Sequence, residues 1–122
     1  MKIERFDVNN RRSRLVKYNG VAYLSGQFSD KGGDIASQTR ETLAKIDELL
    51  ARAGTDKSRL LTGEVWITNM ADFKEMDAVW NAWVAPGNPP TRCCCAVELG
   101  DPEMKVEIMV TAALNDIEVV EA

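Results

Sequence analysis

The stretch RLLTGEVWITNMADFKEMDAVWNAWVAPG, residues 59–87, changes its hydrophobic period halfway along, and that change decides the fold. Arg59 to Thr68 alternates in part and holds Leu61, Val65, Trp66 and Ile67, which predicts a strand. Asp72 with Glu75 three residues later is a helix-start signal related to the capping box. Phe73, Met76, Trp80, Trp83 and Val84 then follow at the spacing of one helical face, and Pro86-Gly87 closes the segment. The unit is therefore a strand followed by an amphipathic helix, and its tryptophans read as core residues.

The same unit occurs upstream. Two β-like runs, Lys2 to Val8 and Lys17 to Phe28, precede a helix, and the Asn19-Gly20 pair marks a hairpin. Asp34 is placed to cap the helix, and Gly54 sits where a helix end favours a left-handed residue. Between them Ile35, Thr39, Thr42, Leu43, Ile46, Leu49, Leu50 and Ala53 recur every three or four residues. Downstream, Thr91 to Leu99 reads as a strand, Gly100-Asp101-Pro102 as a turn, and Lys105 to Leu114 as a last strand. The order is ββαβαββ, an α+β domain over residues 1–114 with two helices on one face of a single mixed sheet. Residues 115–122 form an acidic tail without clear pattern.

A sheet with helices on one face needs cover on the other. Small and medium apolar residues recur on both alternating sets of the last strands, which predicts a homo-oligomer packed through the second face. At 122 residues the chain is one domain, large enough to bury roughly 65% of its unfolded surface without a metal or disulfide. The three cysteines, Cys93, Cys94 and Cys95, are consecutive, lack C-x-x-C spacing and leave an odd thiol over. A reduced, cytoplasmic protein is the simplest reading. No apolar run reaches the length of a membrane span.

Function classes narrow with composition. The formal net charge is −4, which argues against general nucleic-acid binding, and Arg11, Arg12, Arg14 and Lys17 read as a solvated strand edge. The chain has no histidine, so Ser-His-Asp and Cys-His arrangements and the commonest metal ligand are excluded. Carboxylates, arginine, hydroxyls, thiols and backbone remain.

Strand parity puts Arg92, Cys94, Ala96 and Glu98 on one face and Cys93, Cys95, Val97 and Leu99 on the other. We assign the second set to the helices, so that Cys93 and Cys95 pack inward while Arg92 and Cys94 share the second face with Glu107. Two readings of the charges stay open: Arg92 pairs with Glu107, or both meet a ligand at a subunit interface. Cys94, beside a cation, is either small apolar lining or a reactive thiol.

Tyr23-Leu24-Ser25-Gly26-Gln27, Asp72-Phe73, Pro90-Thr91-Arg92-Cys93-Cys94 and Lys105-Val106-Glu107-Ile108 resemble, in order and spacing, the signature segments of the RidA/YjgF family, the reactive intermediate deaminases. The resemblance runs from residue 1 to about 114. It implies a chorismate-mutase-like fold, a homotrimer with ligand clefts between subunits, and no cofactor. The implied chemistry is hydrolysis of enamines and imines such as 2-aminoacrylate to 2-oxo acids and ammonia. Carried onto this chain, Arg92 would clamp the substrate carboxylate, Ser25, Gly26 and the Cys94 backbone would line the pocket, and Glu107 would position a water. The chain differs from RidA-type members in having no tyrosine over Asn9 to Arg14, and it carries Asp77 where many members have asparagine. It resembles a divergent branch. Against the deaminase stand a non-catalytic sensor of a small 2-oxo acid, a chaperone-like surface, and, more weakly, a chorismate mutase using the arginine cluster.

Overall fold

The computed structural model describes residues 1–122, with strands β1 (Glu4–Phe6), β2 (Leu15–Tyr18) and β3 (Val21–Leu24), helix α1 (Ile35–Ala53), β4 (Leu60–Ile67), α2 (Phe73–Trp83), β5 (Thr91–Ala96) and β6 (Val106–Ala113). One six-stranded sheet runs in the order β1-β2-β3-β6-β4-β5. Only β4 and β5 are parallel, joined across α2, and every other pair is antiparallel. A parallel pair requires such a crossover, which is why the strand-helix change within residues 59–87 governs the topology. No helix is long and apolar enough to cross a membrane.

Three strands, not two, precede α1. The run expected from Lys17 to Phe28 is cut at Asn19-Gly20, where φ of 51° and 79° make the left-handed hairpin turn between β2 and β3. The strand before that turn starts earlier, at Leu15, because Leu15 pairs with Leu24 and both face the core.

Helix α1 forms as its sequence predicts. The Asp34 side chain accepts from Ser37 N at 2.8 Å, and Gly54 at φ 85° ends the helix. All eight residues of the expected stripe are buried, with Gln38 in addition. That buried amide is fully used: Nε2 donates to the carbonyls of Gly33 and Glu103, and Oε1 accepts from Lys105 N. It fixes the approach of β6 to the helix layer.

The start of α2 differs from expectation. Asp72 makes no capping bond, because the chain is already turning at Met70–Asp72 and Asn69 Oδ1 takes the Ala71 N–H at 3.0 Å. Met76 and Trp80 face inward. A Cβ at Gly63 of β4 would stand 3.0 Å from the Trp80 ring, so glycine lets the indole lie closer to the sheet than a larger residue would. Leu15, Ile46, Leu50, Ile67, Ile108 and Val110 are fully buried between helices and sheet. Each such side chain contributes about 1.5–3 kcal/mol of burial free energy.

Candidate functional site

Arg92 lies on the helix-covered face, not the open one. Its register partner in β4 is Gly63, and the adjacent pair is Val65 with Cys94, so Arg92 and Cys94 point the way of buried Val65. Strand parity fixes which residues share a face; the register with β4 selects the face. Because β5 is an edge strand at the end of α2, the layer there is thin enough for a charged head to reach water. Cys93 and Cys95 are correspondingly exposed on the open face, and Cys94 packs partly against the core, which reverses the assignment expected from alternation.

The guanidinium of Arg92 rests on an aromatic seat. Its carbon is 5.4 Å from the Trp80 ring centroid and 5.9 Å from that of Phe73. Nη1 donates to Asp77 Oδ1 at 2.7 Å, and Asn81 Nδ2 donates to the other oxygen, Oδ2, at 3.3 Å. Phe73, Asp77 and Trp80 stand at i, i+4 and i+7 of α2, one helical face turned to the edge strand. Arg92 therefore pairs with Asp77 and not with Glu107. Burial pushes the Cys94 thiol up, against the opposing pull of the Arg92 charge, so Cys94 has the character of lining rather than of an activated nucleophile.

Glu107 occupies the opposite face. It alternates with buried Val106 and Ile108 and pairs across the sheet with Trp66, so a row Cys95, Trp66, Glu107 crosses the open side. Gln27 and Ile108 exchange both backbone hydrogen bonds, at 2.9 and 3.0 Å, which lays Gly26 beside Glu107. A Cβ at Gly26 would overlap the Glu107 carboxylate. Burial raises the Glu107 pKa, and the Arg12 charge lowers it in part.

Ser25 joins this second cluster through its backbone neighbours, and its hydroxyl is committed: it donates to Arg14 O and accepts from Gln27 Nε2, both at 3.3 Å. Arg14 Nη2 donates to Gln27 Oε1 at 3.0 Å. A concavity of about 360 Å³ opens here, lined by Arg12, Arg14, Gly26, Gln27, Phe28 and Lys45 among others. Two of the arginines expected to be a solvated edge thus stand at this cluster. The larger hollows lie elsewhere, along Ala96 to Pro102 after β5, between α1 and α2, and beside the tail, and none is lined by Arg92 or Glu107.

Within one chain the proposed site residues therefore fall into two half-sites: Arg92 and Cys94 at the edge of the helix face, and Gly26 with Glu107 on the open face, Ser25 being the chain neighbour of Gly26. No three His, Cys, Asp or Glu side chains are grouped to hold a metal ion. The partners that sequence reading left without a role are Asp77, Trp80 and Phe73 around Arg92, and Arg12 near Glu107. The helical spacing of residues 73, 77 and 80 was the available signal.

The family model described as Endoribonuclease L-PSP matches residues 2–114. A RutC family protein of Haemophilus ducreyi is 47% identical over 114 residues, covering 93% of this chain and 97% of the relative. The RutC family protein YoaB of Escherichia coli is 37% identical over 114 residues, 93% of this chain and all of the relative. A crystal structure of a YjgF family member from Neisseria meningitidis superposes with a TM-score of 0.93 at 41% identity, covering 96% of this chain and 98% of that one.

Proposed function

The chain belongs to the RidA/YjgF family, and from that premise we propose that it hydrolyses small carboxylate-bearing enamines or imines to 2-oxo acids and ammonia at a site completed by two copies of the chain. The observation that carries this reading is the opposition of Arg92 and Glu107 across one sheet. Within one copy Arg92 and Glu107 stay apart; the Arg92 edge of one copy against the open face of another would bring the two together.

Support for assembly comes from the open face itself. Tyr18 and Tyr23 are 41% and 46% exposed, and Val16, Trp66 and Met109 are half-buried on the same side. A homotrimer, in which each copy gives its edge to one neighbour and its open face to the other, closes the arrangement.

Chemically the task is light. The enamine takes a proton at carbon and becomes an iminium, which is already electrophilic. Arg92 holds the carboxylate with a guanidinium fixed on Trp80 and Phe73, so little side-chain freedom is lost on binding. The partner copy's Glu107 takes a proton from water as its oxygen bonds to the iminium carbon. Its raised pKa makes it a better base than an ordinary surface glutamate. That proton passes to nitrogen, the carboxylate then takes the remaining hydroxyl proton as the carbon–oxygen double bond forms and the carbon–nitrogen bond breaks, and ammonia and the 2-oxo acid leave. Gly26 supplies the space in which the carboxylate sits.

The test is kinetic. With 2-aminoacrylate generated in the assay by a lyase, Arg92→Ala and Glu107→Gln should each lower kcat/KM by about 100-fold or more, general acid-base and anchoring contributions being of that order. Full activity in either variant contradicts the assignment. Saturable, Arg92-dependent binding of a 2-oxo acid without ammonia release favours the sensor reading instead.

A further inference from the structure

Arg92 is not a bare cation. One terminal nitrogen, Nη1, is taken by Asp77 at 2.7 Å, while Nη2 and Nε make no protein hydrogen bond, and both side chains keep about a quarter of their surface exposed, 24% and 27%. An anion arriving at the free edge of Arg92 thus meets a carboxylate beside its counter-charge. A carboxylate alone is attracted by one and repelled by the other. A molecule carrying a cation next to its carboxylate satisfies both.

Resting on the Arg92 reading above, we infer that Asp77 makes this a site for zwitterions: the ligand carboxylate lies on the free edge of Arg92, and its protonated nitrogen lies against Asp77. Trp80 and Phe73 carry the Arg92 guanidinium on their faces, which holds its free edge in place beside Asp77. The arrangement suits a 2-iminium acid, in which carboxylate and C=N⁺ sit on adjacent carbons. A carboxylate beside the iminium holds it in the protonated form that water attacks. Once nitrogen leaves, the 2-oxo acid has only its negative charge, and the same Asp77 expels it. Asp77 is in this account a binding residue that selects the charged imine over the product.

Asp77→Asn separates this from a merely structural role, because an asparagine Oδ1 still accepts from Arg92 Nη1. The experiment titrates L-alanine, a stable zwitterion, and pyruvate, its 2-oxo counterpart, into the assembled wild type, Asp77→Asn and Arg92→Ala, following chemical shifts by NMR. Wild type should prefer alanine. In Asp77→Asn pyruvate should bind on the order of tenfold tighter and alanine weaker, the loss of one nearby charge acting with opposite sign on the two probes. A wild-type preference for pyruvate, or an Asp77→Asn change of equal size and sign for both probes, overturns the inference. If the variant fails to fold, the wild-type preference alone still decides. Binding of neither probe, or binding unaffected by Arg92→Ala, overturns the carboxylate-anchor reading itself.

Discussion

Arg92 and Glu107 point to opposite faces of the same sheet, with β4 between their strands. The first is seated on α2 and the second on the open side against Gly26. In one chain they face apart, and the proposed site brings them together only when copies meet.

The Glu107 carboxylate depends on the missing side chain at residue 26. Gly26→Ala places a Cβ where that carboxylate lies. Displacing a water-positioning group by about 1 Å costs on the order of 100-fold in rate, so kcat/KM should fall to that extent while the circular-dichroism spectrum is unchanged. Wild-type kinetics in Gly26→Ala would remove Glu107 from the mechanism.

Gly63 supports the other half-site. A Cβ there stands 3.0 Å from Trp80 Cη2, and the nearly buried indole has little room to yield. Gly63→Ala should cost about 1–3 kcal/mol by overpacking and loosen the seat of Arg92. Urea unfolding should show a lower midpoint, together with a raised KM for carboxylate substrates.

Legibility in the sequence followed the range of the interactions. The α1 stripe was read correctly because its period, its Asp34 cap and its Gly54 stop are all local. The face of β5 was misread because alternation is local and register is not: pairing of Gly63 with Arg92 across a crossover cannot be derived from Thr91 to Leu99 alone. Glu107 and Asp77 are each fifteen residues from Arg92, on either side of it, and separation by itself could not tell partner from non-partner. The glycines were the sharper hint, since Gly26 and Gly63 each make room for a large neighbour.

The pH response of Glu107 follows from burial. Its pKa is raised in the folded chain above the ordinary 4.5. The group therefore favours the folded state when protonated, fully so below the ordinary value, and that contribution is lost as pH rises through the folded pKa. The Tm of Glu107→Gln relative to wild type should become more favourable on going from pH 4 to pH 7. Wild-type kcat/KM should rise on the acid side with an apparent pKa above 4.5. A Tm difference between the two proteins that does not change with pH would contradict the burial argument.

Thiol chemistry reports on the open face. Cys93 and Cys95 are exposed there in the isolated chain, while Cys94 lies against the core. At high protein concentration, assembly through that face should slow the reaction of Cys93 and Cys95 with a thiol reagent. On dilution two thiols should become fast and one stay slow, as read by absorbance and peptide mapping. Fast modification of Cys94 ahead of its neighbours would contradict this placement.

The central claim, that Arg92 of one copy works with Glu107 of the next, is tested most directly by complementation. Arg92→Ala and Glu107→Gln chains, each expected to be less active alone by about 100-fold or more, are mixed in equal amounts, unfolded and reassembled together. If each site takes Arg92 from one copy and Glu107 from its neighbour in a ring, about one quarter of the sites in a random mixture are intact, and ammonia release from 2-aminoacrylate should recover to about that fraction of wild type. Activity that stays at the level of the separate variants would mean that both residues of a site come from one chain, and would contradict the account.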